Sequence, residues 1–267
     1  LSIKRRLQSS DLEVGSFLSG GIDSAVVAVL ASHALGGTAV YGVSMPSKFS
    51  SEHSKKDAEL LAHNLGIDFK TIPIQKLVDR FEGSLVDFFS GTGRGTAEEN
   101  IQSRLRGNIL MALSNKFGRL VLSTGNKTEL ALGYCTLYGD MSGGLSVISD
   151  LNKNEVYELA KWVNKNKGNC IPLNSIEKPP SAELSPNQVD PFDYDVISPL
   201  VDLIVQKTYS NTELINQGFE EKTIVEIKNK IHFNEYKRRQ APIGLRVSKK
   251  AFGFGRRFPI VNHFKEK

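Results

Sequence analysis

Ser19-Gly20-Gly21-Ile22-Asp23-Ser24 stands between an apolar run, which predicts a buried strand, and an Ala-, Val- and Leu-rich run, which predicts a helix over residues 25–35. A turn at this position leaves the first amides of the helix without intrahelical partners, and the helix dipole favours an anion there. Gly20 and Gly21 have no Cβ to block an oxyanion, and Ser19 and Ser24 add hydroxyl donors. The stretch therefore predicts a phosphate-binding loop.

Asp23 is the unusual member of this loop. A carboxylate beside bound phosphates is repulsive unless a cation bridges them, so Asp23 implies Mg²⁺. A Walker A loop would place Lys next to Ser or Thr after its last Gly, whereas Ile22 and Asp23 stand here. The pattern is similar to the pyrophosphatase loop of enzymes that form adenylates from ATP. The competing interpretation is an ordinary Gly-rich turn between a strand and a helix.

Strand-like and helical runs alternate over the first two thirds of the chain. Strands are predicted at 38–44, 68–74 and 119–123, and helices at 52–65, 76–89, 98–117 and 155–164. Repeated β-α-β units predict an α/β fold, a doubly wound parallel sheet with helices on both faces. In such sheets ligands bind outside the carboxyl ends of the strands, where the loops 19–24, 45–51 and 124–129 fall.

The pattern changes after about residue 170, where prolines cluster between Pro172 and Pro199. This composition predicts a long loop rather than a strand or a helix. Helices are expected at 196–209 and 220–232, followed by a basic tail. We therefore expect one domain over residues 1–267, with an α/β core to about residue 170. Loops at 90–96 and 175–192 carry Gly or Pro clusters and are expected to act as lids.

Composition excludes several classes of protein. The chain has 267 residues, of which 40% are hydrophobic and 24% charged, as in globular domains. Cys135 and Cys170 form no C-x-x-C pair, so no zinc or thiol-relay site is indicated, and a reducing, cytoplasmic setting is expected. No apolar run reaches the length of a membrane span, and no signal peptide is recognised. The chain begins with Leu1, not Met, which suggests a trimmed chain or a piece of a longer one.

The net charge of +5 is concentrated near the C-terminus, where Glu235 and Glu266 oppose ten Lys and Arg residues: 237, 238, 239, 246, 249, 250, 256, 257, 265 and 267. Such a patch could bind nucleic acid, or it could clamp a phosphate-rich small molecule. Aromatic or helical elements that would recognise nucleic acid are not evident, so we expect a small-molecule partner and neither nucleic acid nor a membrane.

Several separated motifs resemble those of the NAD⁺ synthetases. They follow one another in the order of that family: Met45-Pro46-Ser47, TAEENIQSRLR at 96–106, LSTGNKTEL at 122–130, TLYGDM at 136–141, KPPSAEL at 178–184 and NEYKRRQAP at 234–242. The last of these and TLYGDM look most like the glutamine-dependent branch, which carries a glutaminase domain ahead of the synthetase. The resemblance implies an adenine nucleotide alpha hydrolase-like fold.

The resemblance also implies a reaction. The family joins ammonia to deamido-NAD⁺ (nicotinic acid adenine dinucleotide) with ATP and Mg²⁺, by way of an adenylate that forms as pyrophosphate leaves. It implies a homodimer, and Leu110 and Met111 on the 98–117 helix hint at a second buried face. Neither cysteine carries the signature of a glutaminase, so we expect this chain to use ammonia directly and a glutaminase domain or subunit to be a possible partner.

Site residues follow from the same resemblance. Asp23 and Ser24 are the expected catalytic residues, and Asp23 and Glu129 the metal ligands. ATP contacts are expected at residues 19–24 and at Met45, Thr124, Lys153 and Ser181. Contacts to deamido-NAD⁺ are expected at Asn100, Arg104, Glu129, Lys237 and Arg238.

Some of these assignments have alternatives. Glu129 could instead be an acid that serves a helix dipole, and Thr124 an N-cap or turn residue. Lys153 opens a helix, where a cation is unfavourable by dipole alone, and this misfit favours a functional role. The basic pair at 237–238 could be shifted by one residue to include Arg239. Leu137 and Gly144 depart from the ammonia-dependent pattern, so no contact is carried over to them.

Two other functions remain open at this point. The first loop is also close to that of the asparagine synthetases, so another amidotransferase-type ATP pyrophosphatase is one alternative. A basic nucleic-acid-binding module, or a tRNA-modifying relative, is the second.

Overall fold

The computed structural model describes residues 13–253 and 255–260. Within them, the main sheet contains six parallel strands in the order β3-β2-β1-β4-β5-β6. Their bounds are β1 Val14–Phe17, β2 Val40–Ser44, β3 Asp68–Thr71, β4 Leu120–Ser123, β5 Leu145–Ser146 and β6 Ile243–Gly244. A separate short pair is formed by β7 Ala251–Phe252 and β8 Gly255–Arg256. The predicted doubly wound parallel sheet is confirmed.

Helices cover both faces of this sheet. Their bounds are α1 Ile22–Leu35, α2 Glu52–Leu65, α3 Gln75–Gly83, α4 Thr96–Phe117, α5 Lys127–Leu132, α6 Lys153–Lys167, α7 Leu173–Glu177, α8 Tyr194–Asp202, α9 Asn211–Asn216, α10 Glu221–Phe233 and α11 Glu235–Arg238. A 3₁₀ turn spans Gly37–Ala39, and a π-helical turn at Leu203–Lys207 continues α8. In this part of the chain, no helix combines the length and apolar character needed to cross a membrane.

Several boundaries differ from the sequence prediction. The third strand ends at Thr71, although the Ile72 amide still donates to the Ser44 carbonyl at 2.8 Å. The helix predicted to reach residue 89 ends at Gly83 and is followed by turns. The Pro-rich stretch was predicted to lack helices, which is wrong. Pro172 is the N-cap of α7, and Pro199 lies inside α8, whose first turn is capped by the Asp193 side chain as it accepts from Asp195 N.

Three apolar clusters organise the layers. On one face of the sheet, α1, α2 and α6 pack through side chains that include Val26, Leu61 and Val156. On the other face, Val78 of α3 and Leu110 of α4 pack against the sheet. A third cluster joins α5 to α8, α9 and α10 through Ala131, Leu132, Leu200, Leu214, Ile224 and Ile227. The chain then returns to the sheet, since β6 pairs with β5 at its edge. Lys265 and Lys267 of the basic tail lie outside the described residues.

The strand order reverses between β1 and β4, the central pair of the sheet. β1 leads to β2 and β3 on one side, whereas β4 leads to β5 and β6 on the other. Loops that leave such neighbouring strands in opposite directions open a crevice at the carboxyl ends of the strands. The loop that follows β1 contains residues 19–21, and the loop that follows β4 contains residues 124–126. The fold thus brings two of the predicted site segments together.

Two helical glycines provide a test of how closely α4 packs. A Cβ at Gly107 would fall 2.7 Å from the Tyr138 carbonyl oxygen, whereas a Cβ at Gly83, at the end of α3, would meet nothing within 4 Å. Gly107→Ala should lower the free energy of unfolding by about 1–3 kcal/mol through overpacking, despite the better helix propensity of Ala. Gly83→Ala should be neutral or stabilising by about 0.5–1 kcal/mol. Urea unfolding of both variants measures this, and equal midpoints would contradict the close packing of α4.

Candidate active site

One cleft of about 330 Å³ lies at the carboxyl ends of the strands. It is bounded by the loop after β1, the end of β2, α4, the loop after β4 and the segment 178–190. Most of the predicted site residues line it: Ser19, Gly21, Ile22, Asp23, Ser24, Met45, Asn100, Thr124, Glu129, Lys153, Ser181 and Lys237. Gly20, Arg104 and Arg238 are not among its lining residues.

The first loop is ordered by its own hydroxyl groups. Ser19 Oγ and Ser24 Oγ lie 3.0 Å apart, Ser19 Oγ accepts from Gly21 N at 3.1 Å, and Ser24 Oγ donates to the Gly21 carbonyl at 2.9 Å. Gly21 is the N-cap of α1, and among the described residues no side chain caps this helix. The leading amides of α1 therefore face the cleft uncapped, which suits an anion.

Gly20 fixes the position of this loop against α2. Its φ is +81°, and a Cβ there would lie 2.1 Å from the Ser54 carbonyl oxygen. Ser175 Oγ of α7 donates to the Gly20 carbonyl at 3.0 Å. Only glycine fits both the backbone conformation and the space. Gly20 therefore acts by letting the loop approach α2 rather than by lining the cleft.

Lys153 joins the two acids that the sequence singles out. Its Nζ lies 2.6 Å from Asp23 Oδ2 and 3.3 Å from Glu129 Oε1. Asn126 Nδ2 donates to Asp23 Oδ1 at 2.8 Å. Lys153 is the first residue of α6, where the helix dipole is unfavourable for a positive charge. The two carboxylates offset this unfavourable interaction. Carboxylates that follow β1 and β4 are thus held together by one ammonium group.

Glu129 belongs to a helix cap and also lines the cleft, whereas its binding of metal or substrate stays a prediction. Its Oε2 accepts from Asn126 N at 3.2 Å, while Asn126 Oδ1 accepts from Glu129 N at 3.0 Å, which completes a capping box at the start of α5. Its Oε1 faces Lys153 in the cleft. Asn126, rather than Thr124, is the N-cap of α5, and Thr124 lies in the loop after β4, so Thr124 does not cap this helix. The N-x-x-E spacing at 126–129 is the sequence signal that could have identified Asn126.

The acids and the lysine perturb one another. Burial, followed by the charge of Asp23, raises the pKa of Glu129 to about 8. Burial opposes the charge on Lys153, but the charges of Asp23 and Glu129 raise its pKa above the ordinary value. Lys153 therefore stays a cation, and Glu129 holds its proton more strongly than an ordinary carboxyl group does.

Asp23 and Glu129 are also the carboxylates that could hold a divalent cation. Mg²⁺ is commonly bound by one or two carboxylates together with substrate phosphates, and this pair lies next to the uncapped start of α1. Within residues 13–253 and 255–260, no group of three or more His, Cys, Asp or Glu side chains is arranged to hold a metal ion. These two carboxylates thus fit a metal ion whose remaining ligands are phosphate oxygens, rather than an ion whose ligands all come from the protein.

Arg106 is a cleft residue that sequence reasoning did not single out. Its side chain is buried, its Nε donates to the Met45 carbonyl at 3.0 Å, and its guanidinium lies 5.7 Å from the Phe17 ring centroid. Burial lowers the pKa of Arg106 to about 10. Gln102 and Arg106, four residues apart on α4, are both buried polar side chains, and this spacing is the signal in the sequence.

Of the residues predicted to contact the dinucleotide, Asn100 and Lys237 line the cleft and Arg104 does not. Asn100 Oδ1 accepts from Thr136 Oγ1 at 2.7 Å, and Lys237 Nζ donates to the carbonyls of Gly133 and Cys135 at 2.7 and 2.8 Å. The exposed Arg104 donates through Nε to the Leu137 carbonyl at 3.2 Å. These contacts hold the loop at 133–137 against α4 and α11.

Arg238 points away from the cleft. Its side chain is 4% exposed, and it donates to Glu235 Oε2 at 3.1 Å and to the Leu130 carbonyl at 2.9 Å. Its guanidinium lies 4.5 Å from the Phe252 ring centroid. Because these partners occupy the guanidinium, the structure gives Arg238 a packing role at the end of α5. The neighbouring Arg239 is 43% exposed and pairs with Glu235.

The segment 178–190 closes one side of the cleft. Glu183 accepts from Ser51 N at 3.2 Å and from Ser54 Oγ at 2.6 Å, at the start of α2. Lys178 Nζ donates to the same Ser54 Oγ at 2.7 Å. Ser181 Oγ accepts from Glu183 N at 3.1 Å. The segment is thereby anchored beside the first loop.

Comparisons with known proteins agree with this geometry. The model of the NAD synthase family matches residues 3–241. The chain is 51% identical over 250 residues to a glutamine-dependent NAD(+) synthetase of Synechocystis sp., which covers 92% of the chain and 45% of that protein. It is 48% identical over 253 residues to a glutamine-dependent NAD(+) synthetase of Thermotoga maritima, with 93% and 44% covered. The chain thus spans about half the length of the curated relatives it matches.

Solved structures show the same similarity. An NH3-dependent NAD synthetase from Campylobacter jejuni superposes with a TM-score of 0.72 at 30% identity, covering 91% of this chain and 94% of that one. A glutamine-dependent NAD+ synthetase from Acinetobacter baumannii, in complex with adenosine diphosphate, superposes with a TM-score of 0.65 at 38% identity, covering 100% and 49%.

The raised pKa of Glu129 gives a pH dependence of stability. The ordinary value is 4.5 and the folded value about 8, so the folded chain binds this proton more tightly than the unfolded chain. The stabilisation is complete below the unfolded pKa and is lost as the pH rises through the folded one. Wild type should lose about 1–3 kcal/mol relative to Glu129→Gln between about pH 5 and pH 8. Urea unfolding with EDTA present measures this, and parallel pH profiles for the two proteins would contradict it.

Proposed function

Because the chain belongs to the NAD synthase family, we propose that it catalyses the ATP-dependent amidation of deamido-NAD⁺ to NAD⁺ through an adenylated intermediate, releasing AMP and pyrophosphate. The observation that carries this proposal is the cleft in which the uncapped start of α1 meets Asp23, Glu129 and Lys153. That arrangement suits a nucleotide whose pyrophosphate leaves. The whole of residues 1–267 is proposed to act as one synthetase domain.

The first step is adenylation. A carboxylate oxygen of the nicotinate attacks the α-phosphorus of ATP, the bond from that phosphorus to the bridging oxygen breaks, and pyrophosphate leaves with the electron pair. The leading amides of α1 and the hydroxyls of Ser19 and Ser24 are placed to bind the leaving pyrophosphate. Lys153, kept cationic by its two acids, adds positive charge at the same place. Met45, Thr124 and Ser181 line the cleft where the rest of ATP is proposed to bind.

Mg²⁺ is the proposed metal, and Asp23 and Glu129 are the residues that would hold it. When bound, Mg²⁺ would neutralise the charge that develops on the phosphate oxygens. Lys153 and Asn126 orient Asp23 from the protein side, and the capping box orients Glu129.

The second step is attack by ammonia. The nitrogen lone pair adds to the acyl carbon of the adenylate, the bond from that carbon to the phosphate oxygen breaks with departure of AMP, and the nitrogen loses a proton. Asn100 and Lys237, which line the cleft, are proposed contacts of the dinucleotide, whereas Arg104 remains a prediction. The segments 90–96 and 178–190 are proposed to exclude water from the adenylate, which water would hydrolyse.

The nitrogen source is proposed to be ammonia for this chain alone. Burial raises the pKa of Cys135 to about 12, and burial also raises the pKa of Cys170, so neither thiol forms a thiolate readily. Cys135 lines the cleft itself, where hydrolysis of glutamine would collide with the dinucleotide. A glutaminase domain or subunit is proposed to deliver ammonia in the protein to which this chain belongs.

A homodimer is also proposed, although only one of the two α4 residues named in the sequence analysis still supports it. Leu110 is buried within the chain's own cluster beneath α4, so it does not mark a second face. Met111 remains 37% exposed on α4. The molar mass from light scattering would decide between one copy and two.

A substrate panel tests the proposed function. With ATP, Mg²⁺ and ammonium, AMP should form with deamido-NAD⁺ and not with aspartate or tRNA, which represent the two alternative functions. Glutamine should not replace ammonium with this chain alone, and the rate with ammonium should rise from neutral to mildly alkaline pH because ammonia attacks unprotonated. AMP formation with aspartate, or NAD⁺ formation from glutamine, would overturn the assignment.

The role of Asp23 is tested by Asp23→Asn. The variant keeps the hydrogen-bonding shape but loses the charge, so its rate at limiting Mg²⁺ should fall on the order of a hundredfold. Because Asp23 pairs with the buried Lys153, which Glu129 still faces in the variant, the free energy of unfolding should fall by about 1–3 kcal/mol, much less than the loss of activity. Asp195→Asn is a matched control, because Asp195 lies in the first turn of α8 and is exposed. Equal turnover by wild type and Asp23→Asn at limiting Mg²⁺ would show that Asp23 does not bind the metal.

A further inference from the structure

Asp190 is a carboxylate in the cleft that neither the family motifs quoted above nor the proposed adenylation step uses. Its Oδ2 accepts from the Tyr194 hydroxyl at 2.8 Å. Its Oδ1 is buried and, among the described residues, has no donor in hydrogen-bonding geometry, although the Tyr134 hydroxyl interacts with the same carboxylate. A buried carboxylate oxygen without a donor is costly, so such an atom in a cleft points to a missing N–H or O–H group.

The position of Asp190 is fixed by the surrounding segment. Its backbone amide donates to the Pro180 carbonyl at 2.9 Å, which closes the segment 180–190 into a loop. Leu184 anchors that loop, because its carbonyl accepts from Gln102 Nε2 and its amide donates to Gln188 Oε1, both at 2.8 Å. The carboxylate is therefore held in place on the cleft wall.

The surroundings of Asp190 already bind one ammonium group. Lys153 Nζ lies 5.4 Å from the Tyr194 ring centroid, between Asp23 and Glu129. Burial and then the charge of Asp190 raise the pKa of Tyr134, and the charge of Asp190 also acts on Glu129 and Lys153. Asp190 thus lies close to the acid pair. Acids and phenol rings together form a pocket suited to a small cation that donates N–H bonds.

Asp190 is nevertheless separate from the pair proposed to hold Mg²⁺. Among the described residues, no three acids come close enough together to share one ion. An ionised carboxylate only accepts hydrogen bonds. An ammonia molecule held by its N–H groups would keep its lone pair free for the acyl carbon. The Asp190 carboxylate therefore suits the nitrogen substrate better than the phosphates, which it would repel.

We propose that Asp190 binds the incoming ammonium or ammonia through Oδ1, with the Tyr194 hydroxyl orienting the carboxylate through Oδ2. This inference rests on the proposed function, because it assigns a residue to the second half of that reaction. It predicts that Asp190 matters for amidation and not for adenylation.

The two half-reactions can be measured separately. Exchange of labelled pyrophosphate into ATP, with deamido-NAD⁺ and without ammonium, reports adenylation. Ammonium saturation of NAD⁺ formation reports amidation. Asp190→Asn should leave the exchange rate within about twofold of wild type and raise the KM for ammonium about ten- to hundredfold, as expected when one charge-assisted hydrogen bond is lost. At saturating ammonium its kcat should approach that of wild type.

Asp193→Asn is the matched control. Asp193 is an exposed acid three residues away that caps α8, and Asn retains the capping oxygen. Both half-reactions should match wild type in this variant. Asp190→Glu keeps the charge at a shifted position, so it should raise the KM for ammonium less than Asp190→Asn while leaving exchange intact.

The outcomes separate the possibilities. A parallel loss of exchange and amidation in Asp190→Asn would assign Asp190 to ATP or Mg²⁺ binding and overturn the proposal, as would an unchanged KM for ammonium. If Asp190→Asn does not fold, Asp190→Glu decides, since exchange intact with a raised KM for ammonium supports the proposal and any other result overturns it. Absence of exchange in wild type would instead refute the proposed function itself.

Discussion

The cleft depends on one lysine that serves two carboxylates. Asp23 follows β1 and Glu129 follows β4, so the parallel sheet brings their like charges to one edge. Burial raises the pKa of Glu129, and the charge of Asp23 adds to that effect. Lys153 offsets both charges from the first position of α6, a place that the helix dipole makes unfavourable for a cation. Its position is therefore explained by the acids it faces and not by its helix.

The start of α5 connects this arrangement to the rest of the molecule. Asn126 and Glu129 face Asp23 and Lys153, whereas Lys127 points to the opposite side, where it is fully buried and pairs with Asp150 at 2.9 Å and Asp202 at 3.0 Å. Asp150 also accepts from the amides of residues 247 and 248, each at 2.7 Å. Removing one partner from such a buried network would leave an uncompensated charge. The C-terminal segment is therefore tied, through Asp150 and Lys127, to the start of α5, where Glu129 also lies.

The sequence predicts the parts of this site that depend on local pattern. The loop at 19–24, the parallel sheet expected of β-α-β units and the meeting of Asp23 with Glu129 at one sheet edge all follow from strand ends and helix starts, and Lys153 joins the two acids in the structure. Arg106 and Asp190 could not be predicted in this way. Arg106 depends on how α4 rotates against the Met45 carbonyl, and Asp190 depends on a loop closed by a backbone hydrogen bond to Pro180. Strands β5 and β6, of two residues each, are too short to produce a periodic pattern.

The basic C-terminal segment shows why a count of charged residues overestimates the positive charge that a surface offers to a partner. Lys237 uses its ammonium on the carbonyls of Gly133 and Cys135, and Arg238 is buried against Glu235 and the Leu130 carbonyl. Carbonyls at the end of a short helix carry partial negative charge, so cations there complement the dipole of α5. The same contacts hold the loop after α5 against the cleft. The positive charge of Arg238 is thus used to build the wall of the site, whereas Lys237, which also holds that wall, still lines the cleft.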